Sequence, residues 1–175
     1  MKPLAYAWLA DEPAPKILLE ALKDHGLTEV PGPANSSRIL EMARLVGAAS
    51  YYKADSTPWC ALALAAWVKA AGYELPADPL RALSWQKWGT KADKPMLGDV
   101  LVFVRNGGGH VGLCVGEDPA CYHVLGANQG DAVCIVRIAK QRLVAARRSP
   151  FKLRQPANVR VVKLLPVGSA STNEA

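Results

Sequence analysis

Acidic residues are missing from one long stretch of this chain. Between Ala132 and Asn173 there is no Asp or Glu, while Lys140, Arg142, Arg147, Arg148, Lys152, Arg154, Arg160 and Lys163 all fall there. The chain of 175 residues carries a net charge of +6. An excess so unevenly placed favours an anionic polymer, such as a cell-wall or envelope surface or nucleic acid, or else forms a solvated basic face. No RNA- or DNA-binding motif accompanies it, so nucleic acid is not the expected partner. Long apolar runs are missing too: the longest, Trp59 to Val68, falls well short of the ~18 residues of a membrane span.

Cysteines number four and histidines three. Cys114, Cys121 and Cys134 lie in one region with His110 and His123, but their spacing lacks the close pairs of a zinc site. Buried thiols are therefore expected there, and neither a metal nor an organic cofactor. The opening MKPLAYAWLADEP has one lysine and a short apolar stretch broken at Asp11, Glu12 and Pro13, a poor match to a signal peptide. Synthesis in the cytoplasm without a clear signal, followed by delivery along a separate route, is the expectation.

What is present suits one globular domain: half the residues are hydrophobic and 21% are charged, which excludes disorder, collagen and coiled coil. Helices are expected over 15–25, stopped by Gly26, and over 38–46, capped from Asn35, Ser36 or Ser37 and followed by Gly47. A third is expected over 58–71, with Thr57 as N-cap and Pro58 as first helical residue. A fourth is expected from Asp78 to Gly89. After Pro95 the period changes to that of strands, over 99–105, 110–116, 120–125, 132–138, 143–147 and 159–165. Helices first and hairpin-linked strands afterwards imply an α+β fold with an antiparallel sheet. The expected boundaries are an arm at 1–14, one domain at 15–166 and a flexible tail at 167–175, in a monomer.

Cys60 stands near the start of the third helix, where free backbone N–H groups and the helix dipole favour a thiolate and could hold an oxyanion. His110 follows three glycines and opens a strand whose same-face neighbours, Gly112, Cys114 and Gly116, include two more glycines that let another backbone or a substrate come close. His123, inside an apolar strand, is the weaker rival, and His25 is a helix-end partner. A third group should orient the imidazole. Asn128, Gln129 and Asp131 follow the next strand, and Asn128 is the first choice.

In this order, Cys60, His110 and Asn128 resemble the site of the papain-like cysteine peptidases of the CHAP and NlpC/P60 type. They look closest to small phage endolysin-like peptidoglycan hydrolases. The stretches that carry the resemblance are Glu29-Val-Pro-Gly-Pro-Ala-Asn, Arg38-Ile-Leu-Glu, Asp55-Ser-Thr-Pro-Trp-Cys-Ala, Gly98-Asp-Val-Leu-Val-Phe, Gly109-His-Val-Gly and Leu125-Gly-Ala-Asn-Gln. Ala127 departs from the pattern by replacing a glycine, and Ala63 stands where a larger aromatic is common nearby. The resemblance implies hydrolysis of a peptidoglycan amide, with Cys60 as nucleophile, His110 as general base and then acid, and Asn128 as orienter. Trp59, Gly109 and Gln129, which flank them in the same motifs, are the expected substrate contacts. The cut would fall within the stem peptide or between peptide and sugar. The basic C-terminal third is expected to bind anionic envelope polymers. The rival classes are a catalytically silent wall- or nucleic-acid-binding module, and a thiol or zinc protein built on the cysteine cluster.

Overall fold

The computed structural model describes residues 4–105, 107–172 and 174. Three α-helices precede a sheet: α1 (Lys16–Lys23), α2 (Ser37–Val46) and α3 (Cys60–Ala70). The strands are β1 (Thr90–Lys91), β2 (Val100–Arg105), β3 (Gly108–Glu117), β4 (Cys121–Gly126), β5 (Cys134–Ala139) and β6 (Leu143–Arg148). They form one antiparallel sheet in the order β1-β6-β2-β3-β4-β5. The fold is α+β, as the element order implied.

The helix α3 lies at the centre. Every residue from Cys60 to Val68 is buried, because α1 and α2 cover it on one side and β3 on the other. A helix apolar all round has no solvent face to offer. Asp24 ties the three helices together: it receives two bonds from Arg38 (2.8 and 3.2 Å) and one from the Trp67 indole (2.8 Å). A buried carboxylate is tolerable only with such partners. Val100, Val102, Val111, Leu113, Val115 and Leu125 face the helices, whereas Leu101, Phe103, Cys114, Val124 and Ala146 form a smaller core on the other face.

Several sequence-based expectations give way. Within the expected arm at 1–14, a 3-10 helix at Leu4–Ala10 buries Tyr6 and Leu9 against the domain. The helix expected over 78–89 is reduced to a 3-10 segment at Ala82–Lys87, where Trp85 and Trp88 are buried by packing and not by helical spacing. The strand expected over 159–165 is only a one-residue bridge from Lys163 to Glu117. Gly98 has a φ of +80°, and a Cβ there would meet Pro15 at 2.1 Å, so the chain crosses α1's entry too closely for any other residue.

Candidate active site

The helix α3 begins two residues later than expected. Trp59 is the N-cap and Cys60 the first helical residue, with no side-chain cap. The loop before it is fixed from elsewhere. The Asp55 carboxylate accepts the N–H groups of Val30 (2.9 Å) and Ser36 (2.7 Å), and the Asp55 N–H is received by Asn35 (2.9 Å). This accounts for two of the matching stretches: they close one loop beneath Cys60. The later start places Cys60 deeper in the dipole field, with its own N–H and that of Ala61 free of intrahelical partners.

The Cys60 sulfur reaches the backbone of Val111, the residue after His110; that group, with the N–H groups of Ala61 and Cys60, favours the thiolate. Strand β3 pairs with β4 only from Leu113 onward, so its edge is open at Val111. Strand alternation sets Val111 toward α3 and His110 on the other row, with Gly112 and Cys114. The thiol therefore meets the β3 backbone one residue from His110.

The imidazole's company defines its chemistry. The residue whose side-chain oxygen meets it is Gln129 and not the expected Asn128: His110 Nε2 lies 3.0 Å from Gln129 Oε1. The amide nitrogen of Gln129 is held by the carbonyls of Cys134 (2.6 Å) and Gly126 (3.2 Å). Its oxygen is thereby turned to the ring and must accept, which places the imidazole proton on Nε2. Nδ1 is left as a bare acceptor, buried and with no hydrogen-bond partner. Asn128 is buried at a φ of 56°, a left-handed conformation that Asn tolerates better than most residues. Its place in the turn has that backbone reason. Gly126 is required by the contact: a Cβ there would sit 2.7 Å from Gln129 Oε1 and 3.2 Å from His110 Nε2.

Burial dominates the electrostatics. Cys60 is 6% exposed and His110 not at all. Desolvation pushes the Cys60 thiol above its ordinary value, against the pull of the Val111 and Ala61 backbone and of the Arg105 guanidinium. The depressed thiol expected from the helix position is absent from this closed arrangement, because loss of water outweighs the helix end. Burial also pushes His110 down to about 4, with Gln129 and Glu174 opposing. Thiol and imidazole are both neutral here.

Two of the expected substrate contacts are internal. Trp59 is fully buried and its indole donates to Glu29 (2.8 Å), so it anchors the loop at Glu29. Gln129 is spent on His110. Gly109 is half-buried at the mouth of the strand, where a Cβ would meet Leu83 at 2.7 Å. Sequence reasoning missed Tyr52 and Arg105. The Tyr52 hydroxyl donates to the Pro58 carbonyl (2.9 Å), and its acidity is held down by burial and then by Cys60. Arg105 donates to the carbonyl of Gly109 (3.3 Å) and acts on both Cys60 and His110. Neither belongs to a periodic pattern, and only tertiary structure brings them to the site.

The basic third of the chain is largely consumed within the fold. Arg148 pairs with Asp99, Arg160 with Glu12, Arg142 with Glu174, and Lys140 and Lys163 with Glu117. Arg147 donates to the carbonyls of Trp88 and Gly89. Lys152 and Arg154 stand exposed on either side of Leu153, itself 91% exposed. Among the described residues no three His, Cys, Asp or Glu side chains are placed to hold a metal ion, and no helix is long and apolar enough to cross a membrane. Comparison of the chain with protein-family models, with curated proteins and with solved structures gave no match.

Proposed function

We propose that the chain is a papain-like cysteine hydrolase that cleaves an amide bond of peptidoglycan. One observation carries the chemistry: a cysteine at a helix N-terminus meets the β3 backbone one residue from a histidine whose Nε2 is fixed by Gln129 and whose Nδ1 is bare. The choice of peptidoglycan rests on the motif resemblance. Nδ1 takes the thiol proton, and the sulfur bonds to the carbonyl carbon. The carbonyl electron pair moves to oxygen, where the N–H groups of Cys60 and Ala61 receive it. The tetrahedral species collapses, the C–N bond breaks, and the leaving amine takes the proton from Nδ1. Water, deprotonated by the same nitrogen, then releases the acid and restores the thiol. Gln129 acts as the orienting amide, the role expected of Asn128.

The silent-module reading has one observation on its side, the burial of Cys60 and His110. The internal pairing of the basic third removes much of the surface that such a module would use. Mass spectrometry of purified peptidoglycan after incubation decides between them. The expected result is soluble fragments with one new amine and one new carboxyl end, absent with Cys60→Ala. Intact peptidoglycan, or equal cleavage by Cys60→Ala, removes the reading.

A further inference from the structure

Four basic side chains that the fold does not consume meet on one groove. Two open clefts, of about 390 and 320 Å³, adjoin at Gly72, Tyr73 and Lys152. Lys16, Lys87, Lys152 and Arg154 line them and are exposed. Among the described residues none of these four enters an ion pair, and Glu74 is the one acid on the lining. Lys16 heads α1 and Lys87 ends the 3-10 segment, so the fold adds two cations to the basic third that the sequence keeps far from it.

The floor between these charges is apolar. Tyr73 is half-buried, edge-on to the buried Trp88 ring (centroids 6.3 Å apart), and Phe151 and Pro150 continue the surface. A Cβ on Gly72 would meet nothing within 4 Å, so the space above it is open. The walls are set before any ligand arrives. The Trp88 indole donates to the Glu74 carbonyl (2.8 Å), and Arg147 donates to the carbonyls of Trp88 and Gly89. Gly89 runs so close to the next segment that a Cβ would lie 2.2 Å from the Arg148 carbonyl oxygen. Little ordering is left for binding to cost. At Pro76 and Lys87 a third cleft, of about 520 Å³, continues the groove as far as Leu83. Leu83 lies against Gly109, the residue before His110, where a Cβ would meet it at 2.7 Å. The basic groove therefore runs out beside the strand that carries the imidazole.

Unpaired cations along an apolar floor suit a chain with negative groups at intervals and apolar faces between them. A carboxylate-bearing glycan is such a chain: its C–H faces pack on prolyl and aromatic side chains, and its hydroxyls can donate to Glu74. Single-stranded nucleic acid fits less well. Its bases need exposed ring planes, whereas Trp88 is buried, and Glu74 would repel a backbone with a phosphate at every step. We propose that the groove from Arg154 to Lys87 binds a carboxylate-bearing glycan, the peptidoglycan strand itself, and leads it past Leu83 toward the His110 end of the site. The identity of the polymer rests on the hydrolase reading above; the charge and shape of the groove do not.

The test is calorimetric titration of the full chain with hexagalacturonate, a glycan with a carboxylate on every ring, and with its methyl ester, which keeps the rings and loses the charge. The acid should bind about tenfold more tightly than the ester or better. Lys152→Glu combined with Arg154→Glu should weaken the acid about tenfold, most at low ionic strength. Lys16→Glu and Lys87→Glu should each weaken it less, and Lys53→Glu, exposed and outside the groove, should not. Tyr73→Ala should weaken acid and ester alike and leave the salt dependence as it was. The charge reversals fall on exposed side chains, so they test the groove even where Tyr73→Ala unfolds. No binding of the acid, equal binding of the ester, or indifference to the reversals would overturn the proposal, as would tighter binding of an oligothymidylate through the same residues. On peptidoglycan, Lys152→Glu with Arg154→Glu should raise KM and leave kcat in place. Titrations as expected with peptidoglycan left intact would keep the groove and remove the assigned polymer. Cleavage with KM and titrations unmoved by the reversals would remove the groove and keep the hydrolase.

Discussion

His110 on β3 and His123 on β4 are both fully buried, yet their rings keep different company. At His123, Nδ1 meets the Tyr6 hydroxyl (2.7 Å) and Nε2 meets Asp118 (2.9 Å), which is also held by Arg137 (2.7 Å) and by two backbone N–H groups. Every polar atom of that ring is answered. At His110 one nitrogen is answered and the other is bare. An unsatisfied buried acceptor costs roughly 1–3 kcal/mol, so the ring left open, that of His110, is the one the proposed chemistry uses. The first network has a mechanical task, since Tyr6 belongs to the Leu4–Ala10 segment and locks it onto the sheet.

The largest effect should come from removing the reacting atoms. Cys60→Ala is expected to abolish peptidoglycan cleavage and His110→Ala to come close, while His123→Ala keeps kcat and loses stability. Cleavage rates measured beside thermal unfolding would show it. A His123→Ala chain that is stable but inactive would invert the comparison.

Next in size is the orienting amide. Positioned acid–base groups contribute ~10²–10⁴-fold, and an orienter acting through the ring should lie at the lower end. Gln129→Ala is therefore expected to lower kcat by roughly 10²-fold, and Asn128→Ala by less. Gly126→Ala should resemble Gln129→Ala, because its methyl group would enter the Gln129–His110 contact. Equal kcat in Gln129→Ala and the parent chain would return the role to Asn128 or dispense with it.

How far the residues alone reveal this site depends on the distance of each partner. The placement of Cys60 at a helix start, of His110 near the head of a strand and of a turn after β4 was legible, because helix start, glycine run and Asn-Gln-Gly turn are local signals. The choice between Asn128 and Gln129 was not, because it turns on two distant carbonyl groups, those of Gly126 and Cys134, that fix an amide's orientation. The strand order of β2 to β5 follows from hairpin connection. The return of β6 between β1 and β2 does not, nor does the docking of Leu4–Ala10, whose anchor Tyr6 lies 117 positions from His123. Within the expected tail at 167–175, Ser171 and Glu174 are held by Arg137 and Arg142, partners far off in sequence. Charge was misleading for the same reason: sequence counts arginines, while the fold spends them.

The histidines should also separate in acid. His110 is held down at about 4 from an ordinary value of 6.5, so the unfolded chain binds its proton first. Stability from this group is complete above pH 6.5, falls as pH drops toward 4, and is level below that. The full difference amounts to about 3 kcal/mol. His123 is lowered too, and contributes in the same direction. Asp118 is held well below the carboxylate range, chiefly by Arg137, so its contribution is lost only in stronger acid. Denaturant unfolding of the parent chain should weaken from pH 6.5 to 4, and His110→Gln should flatten much of that slope. An unchanged slope would mean that His110 is solvated in the working protein.

The smallest expected effect is also the most discriminating. Tyr6→Phe keeps the ring that packs edge-on against His123 and removes only the hydroxyl from Nδ1. His123 then has the wiring of His110: one nitrogen held, the other buried and bare. The expected loss is about 1–3 kcal/mol, a fall in Tm of several degrees at roughly 2–4 °C per kcal/mol for a domain of this size. The Cys60 end shares no partner with Tyr6, so kcat at a temperature below the transition should stay within about twofold, as separate sites act independently. Proteolysis near the Leu4–Ala10 segment should quicken, because its polar tie to the sheet is gone. Were Tyr6→Phe to leave Tm unchanged while lowering kcat, the answered histidine would belong to the chemistry, and the assignment of one reactive and one structural ring would fail.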